Sequence, residues 1–197
     1  MIAGCNDHHL GATMTTTTTP ATLQTGVWEI DPAHTTVEFV ARHLMMSRVR
    51  GNFEDIAGTA TVADDLTRSS LDVTVQLASV NTRTPDRDNH LRSPDFFDVT
   101  NHPAMKFRST KIVPSGGDWR VTGDLTIRGV TKPIELTAEF LGVAVDPWGN
   151  DKAVFSARGE LTRDDWGLNW NVPLETGGVL VSRKVQIEIE AQLIHRS

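Results

Sequence analysis

The feature that most constrains this chain is a period of two. Beyond Gly26 it is dominated by segments in which apolar and polar side chains alternate. Such a period places alternate side chains on opposite faces of an extended chain, whereas an amphipathic helix needs a period near 3.6. In KVQIEIEAQLI, Val185, Ile187, Ile189, Ala191 and Leu193 share one face and Gln186, Glu188, Glu190 and Gln192 the other. LDVTVQL sets Leu71, Val73, Val75 and Leu77 against Asp72, Thr74 and Gln76, and RVTGDLTIRG sets Val121, Gly123, Leu125 and Ile127 against Thr122, Asp124 and Thr126. The same rule groups Val37, Phe39 and Ala41, then Met105, Phe107 and Ser109, then Ile134, Leu136, Ala138 and Phe140. From Val154 to Leu161 it holds less cleanly.

Proline cannot donate to a sheet ladder, so the 9 prolines are expected between strands. PSGGD, RGVTKP, DPWGND and ETGG supply turns, which makes the C-terminal half a meander of long hairpins. About eight half-apolar strands must bury their apolar faces as a sandwich or a closed barrel. Closure leaves no exposed edge, so an all-β, eight-stranded antiparallel barrel with short helices in its connecting loops is expected. Ala41, Gly51, Gly123, Ala138, Ala157 and Ala191 fall on the inner face. Either these small residues leave an apolar lumen, or neighbouring rings and branches fill the gaps; alternation alone leaves both open.

Composition removes several function classes. A formal net charge of −6 repels phosphate backbones and anionic headgroups, and the linear sequence offers no Lys/Arg cluster as an exception, so nucleic acid is not an expected partner. One cysteine, Cys5, excludes an internal disulfide framework and a multi-thiolate zinc site. No run of about 18 apolar residues is present to span a membrane. IAGC at residues 2–5 has the small-residue pattern that precedes a lipid-modified cysteine, yet only four residues stand before Cys5, too few for a signal. Residues 1–24 read as a disordered arm and 25–197 as the barrel domain, with a cytoplasmic location.

Catalytic signatures are weak. The chain has no G-x-S-x-G elbow, P-loop, H-E-x-x-H or dinucleotide fingerprint. His34, His43, His90 and His102 match no metal-ligand spacing, so neither a metal nor a cofactor is expected, and the chain reads as a non-enzyme. In TRDDWGLNWN, Arg163 with Asp164 and Asp165 is expected to anchor a turn after a strand.

Several ordered motifs carry a resemblance: WEIDPAHTTVEFVARHL, SRVRGNFEDIAGTATV, VNTRTPDRDNHLRSPDFFDVTNHPAMKF, VTGDLTIRGVTKPIEL and TRDDWGLNW. Together, from about Val27 onward, they resemble the YceI-like family of lipocalin-like polyisoprenoid-binding proteins. The resemblance implies an eight-stranded antiparallel barrel whose lumen holds an isoprenoid lipid of the quinone or polyprenyl-phosphate kind, together with a possible homodimer and, as the alternative to a cytoplasmic location, a periplasmic or secreted one. Set beside the alternation, it makes Val37, Phe39, Phe53, Phe107, Leu125, Phe140 and Phe155 the expected lumen wall, with Ala41 among them.

The remaining candidates sit near the barrel ends. Asp86 to Arg92 suits a short helix, after which Phe96 and Phe97, too costly to leave in water, are expected to pack on the interior or plug an end. His90 and Arg92 would hold that loop, and could also meet an anionic headgroup. HLMMS, at His43 to Ser47, breaks alternation and reads as a helical turn at the rim, with Met45 an adaptable apolar contact. Trp166 and Trp170 complete the expected ligand-binding set. Three classes follow: a carrier for an isoprenoid lipid, a lipid-modifying enzyme using His43, His90 or Asp164, and a filled barrel with a structural or stress-response role.

Overall fold

The computed structural model describes residues 23–175 and 177–196, and the alternating segments form its strands. They are β1 (Gly26–Ile30), β2 (Thr36–His43), β3 (Ser47–Phe53), β4 (Ile56–Val62), β5 (Ser70–Gln76), β6 (Val80–Asn81), β7 (Ala104–Ser115), β8 (Asp118–Ile127), β9 (Val130–Val145), β10 (Asp151–Thr162) and β11 (Lys184–Arg196). The helix α1 spans Pro85–Arg92. Its proline lies in the first turn, where the missing N–H leaves no bond unmade.

All eleven segments pair in one antiparallel sheet that closes as an eight-stranded barrel, because β1 meets β4 on one side and β11 on the other. Eleven becomes eight through three breaks. β11 pairs with β1 over Leu193–Arg196 and with β2 over Gln186–Glu190, so β1 and β2 act as one bent strand. β3 and β4 likewise follow β2 and β1, and β5 and β6 follow β4 and β3 around a single turn at Leu77–Ser79. The breaks lie side by side, which bends three neighbouring strands together and lets the sheet curl shut.

Two prolines differ from expectation. Pro114 lies within β7 and Pro133 within β9. Both occupy overhangs: β5 pairs with β7 only as far as Arg108, and β10 pairs with β9 only from Leu136 onward. One edge is therefore free, and a missing donor there costs no ladder bond. β9 carries a bulge, for Val154 of β10 faces Gly142 while Phe155 faces Phe140, leaving Leu141 as the extra, exposed residue.

The domain boundary moves slightly. Leu23 packs on the cluster around Trp28, whose indole N–H donates to the Gln24 carbonyl at 2.9 Å, so these two residues belong to the folded body. The rest of the expected arm, Cys5 included, lies outside the described residues. Among the described residues no helix is long and apolar enough to cross a membrane.

Candidate functional site

The ladder registers align the inner faces of the strands into rows. One row runs through Trp119, Ala138, Ala157, Ile189, Val37 and Phe53. The next, toward α1, runs through Val121, Leu136, Gly159, Ile187, Phe39 and Gly51. On the far side Phe155 faces Phe140 and Ala191, with the two rings 5.2 Å apart.

Burial divides this interior. Around β3, β7 and β8 it is solid: Phe53, Val75, Leu77, Phe107, Val121 and Leu125 are buried against one another. Along β2, β9, β10 and β11 the inward residues Val37, Phe39, Ala41, Ala138, Phe140, Phe155, Ala157, Ile187, Ile189 and Ala191 are only partly buried, and Val37, Phe39, Ala138 and Ile189 among them pack against that cluster. Ala138 and Ala157 are directly opposed, forming a low floor between the Phe140–Phe155 pair and the Leu136–Ile187 side.

The inward glycines give a different answer from the alanines. A Cβ on Gly51 would stand 2.4 Å from the Phe39 ring, and one on Gly123 would stand 2.4 Å from the Phe107 ring. Those rings occupy the missing side chains' space, so Gly51 and Gly123 are seats for aromatics and not openings. Phe53, Phe107 and Leu125 thus belong to the packed half, and Val37, Phe39, Phe140 and Phe155 to the accessible half.

The end of the barrel beside α1 is plugged. Phe97 meets Phe53 edge-on at 5.8 Å, and Trp166 is buried with its indole N–H donating to the Leu125 carbonyl at 3.0 Å. Phe96 packs outside this plug, where it and Trp170 contact the His90 imidazole at centroid distances of 5.1 and 4.6 Å. His90 Nε2 lies 2.9 Å from an Asp95 carboxylate oxygen. Arg92 is spent on the backbone, donating to the carbonyls of Ala78 and Val80 at 2.8 and 2.7 Å. Arg163 is buried and donates to the carbonyls of Ser182, Leu168 and Val181, which ties the turn after β10 to the segment before β11. Burial pushes its pKa below the usual guanidinium value. Asp164 pairs with Arg183 at 3.1 Å and not with Arg163.

His43 and Met45 lie at a hairpin tip. The segment at His43 to Ser47 is the tip of the β2–β3 hairpin and not a helical turn: Leu44 and Met45 adopt φ of 53° and 59°, and the Met46 N–H donates to the His43 carbonyl at 3.1 Å. Positive φ at both central residues is what a tight hairpin reversal requires. Met45 is half exposed there, with its Cγ 3.8 Å from where a Cβ on Gly178 would stand. His43 borders the tip, bridging to Val181. The histidines are dispersed, with His34 on Asp31 and His90 on Asp95, and among the described residues no three His, Cys, Asp or Glu side chains gather as metal ligands.

A groove of about 410 Å³ crosses the outer faces of β9, β10, β11 and β2; Glu38, Glu139, Arg158, Glu188 and Glu190 make it polar, and Ala157 and Ile189 also reach its lining. Sequence reading missed Trp119, Ile187 and Ile189 as wall residues. The alternation placed both isoleucines on an apolar face; only the register sets them beside the alanine floor.

Comparison with known proteins gives one consistent answer. The model of the YceI-like domain matches residues 28–193. A UPF0312 protein of Pectobacterium carotovorum is 40% identical over 136 residues, covering 68% of this chain and 71% of that protein. The crystal structure of Campylobacter jejuni YceI protein superimposes with a TM-score of 0.67 at 34% identity, over 79% of this chain and 90% of that one. A polyisoprenoid binding domain from Saccharophagus degradans, implicated in plant cell wall breakdown, shares the fold with a TM-score of 0.61 at 15% identity, over 88% of this chain and all of that one.

Proposed function

Because the chain belongs to the YceI-like family, we propose that its barrel binds an isoprenoid lipid along the accessible half of its interior and carries or stores it without chemical change. The observation that supports this reading is the set of rows through Ala138, Ala157, Ile189 and Val37, apolar throughout on the inner face of a closed barrel and small in side-chain volume at its two opposed alanines. Hydrocarbon seated there leaves water at about 0.8 kcal/mol per methylene-sized group, before the cost of ordering the chain. Burial of this kind selects a slender apolar chain. It is indifferent to the headgroup, which is why a quinone and a polyprenyl phosphate are equally served by this wall. The Saccharophagus relative lends the ligand class by analogy of fold.

A filled barrel is a second reading, supported by Phe39 over Gly51 and Phe107 over Gly123. Mass spectrometry of an organic extract of natively purified protein separates the two. Carriage predicts a stoichiometric lipid with isoprene-unit fragments; an extract without lipid, and no uptake of an added polyprenol, overturns it in favour of the filled barrel.

A further inference from the structure

The β2–β3 hairpin ends in three large apolar side chains that remain exposed among the described residues: Leu44, Met45 and Met46 are 38, 50 and 77% exposed. Leu44 N–H donates to the Leu180 carbonyl at 2.8 Å and Leu180 N–H to the Val172 carbonyl at 2.9 Å, so exposed Val172 stands on the strand-like segment alongside. A hairpin turn in water ordinarily carries glycine or asparagine, because positive φ costs other residues about 1–2 kcal/mol each. Here Leu44 and Met45 take that conformation and display hydrocarbon.

Just behind the tip, Arg42 and Arg48 face each other across the ladder on the outer face. Like charges directly opposed repel. Arg50, next on that face, is neutralised by Glu188 at 2.7 Å and Glu38 at 3.4 Å, whereas neither Arg42 nor Arg48 makes an ion pair among the described residues. Between Glu38 and Glu54 the chain has no acidic residue. The hairpin therefore assembles a local cationic patch that the linear sequence hides and the net charge of −6 masks. Glu175 is the one acidic residue in the neighbouring 171–181 segment.

We infer that this rim docks on an anionic lipid bilayer, with Leu44, Met45 and Met46 entering the interface and Arg42 and Arg48 meeting lipid phosphates. The arginines lie one or two strand residues behind the reversal, roughly 3–7 Å at about 3.3 Å per residue. That spacing sets them at headgroup level when an apolar tip penetrates about 5–10 Å. Charge complementarity selects the partner, for a neutral or cationic surface leaves the opposed arginines unrelieved. A lipid carrier has reason to meet a membrane, but the docking surface is separate from the lumen and is tested without any cargo.

The test is flotation of the full chain with vesicles of phosphatidylcholine alone or with about one third phosphatidylglycerol. The unsubstituted protein is expected to partition at least fivefold more onto the anionic vesicles, and less as salt rises. R42Q/R48Q is expected to lower that partition by roughly 10- to 30-fold, and M45S/M46S to lower it on both vesicle types. The tip side chains support no core, so circular dichroism of these variants should match the parent. Equal partition onto both vesicle types, or an R42Q/R48Q protein that partitions like the parent, overturns the inference. So does a concentration-dependent dimer abolished by M45S/M46S, since the tip is then covered by a second copy. Protein that floats with anionic vesicles while its own extract contains no isoprenoid leaves docking standing and removes only the carriage reading.

Discussion

At the scale of single residues, the small side chains of the inner face fall into two kinds that sequence treats as one. Gly123 and Ala157 both occupy inward positions in alternating strands, and both read as room. Packing separates them: the Phe107 ring lies on Gly123, while Ala157 keeps accessible surface beside Ala138. Gly123→Ala is therefore expected to destabilise the protein by about 1–3 kcal/mol, because the new methyl must displace a ring and also stands 2.6 Å from the Arg108 carbonyl oxygen. Denaturant unfolding should show a lower midpoint with an unchanged slope. Alternation reveals the face a residue occupies. It does not reveal the rotamer of a phenylalanine on the adjacent strand, which decides whether a gap is vacant.

At the scale of elements, the break between β1 and β2 shows where local signals end. Pro32, in the stretch IDPAH, marks the break in the sequence, and Asp31 accepts from the Ala33 amide at 3.1 Å, as an aspartate at a chain reversal does. Besides His34 it has a distant partner, Lys152, from β10, 121 residues away, and only closure of the barrel brings it there. Burial pushes the Asp31 carboxyl up, but Lys152, His34 and the Ala33 amide together pull it below its ordinary value. A lowered folded-state pKa means stability that is present above the unfolded value of 3.8 and lost as pH falls through the folded one. Asp31→Asn should thus flatten the acid limb of stability below about pH 4, read as urea midpoints between pH 7 and pH 3. Lys152→Ala leaves a buried carboxylate without its cation and is expected to cost about 3 kcal/mol or more at pH 7. D31N/K152M should recover part of that loss. The hairpin tip at His43 to Ser47 makes the complementary point: broken alternation was legible there, but the conformation was not, since two residues with no local preference for positive φ adopt it.

At the scale of the whole molecule, closure and the apolar inner face were legible because most of the strands repeat the same two-residue pattern, whereas interior volume depends on how eight strands stagger. The net charge is likewise an average, and the β2–β3 ladder brings Arg42 and Arg48 together within it. Interior volume is open to a direct test at Ala157, which lies between Ala138 and Ile189 on the accessible row. In a packed core a phenylalanine there forces side chains off their rotamers and costs about 1–3 kcal/mol. Into a vacant seat it should fit with a loss below about 1 kcal/mol, the added ring gaining the burial that a lipid would otherwise supply. Ala157→Phe is accordingly expected to unfold close to the parent midpoint, while the isoprenoid recovered in its organic extract falls several-fold. Destabilisation as large as that of Gly123→Ala would make the two positions alike and the interior solid; an unchanged lipid content in a stable variant would move the ligand off this row. The remaining combination, a stable barrel emptied of its lipid by one added ring, is the outcome that a hydrocarbon lying across Ala138, Ala157 and Ile189 requires.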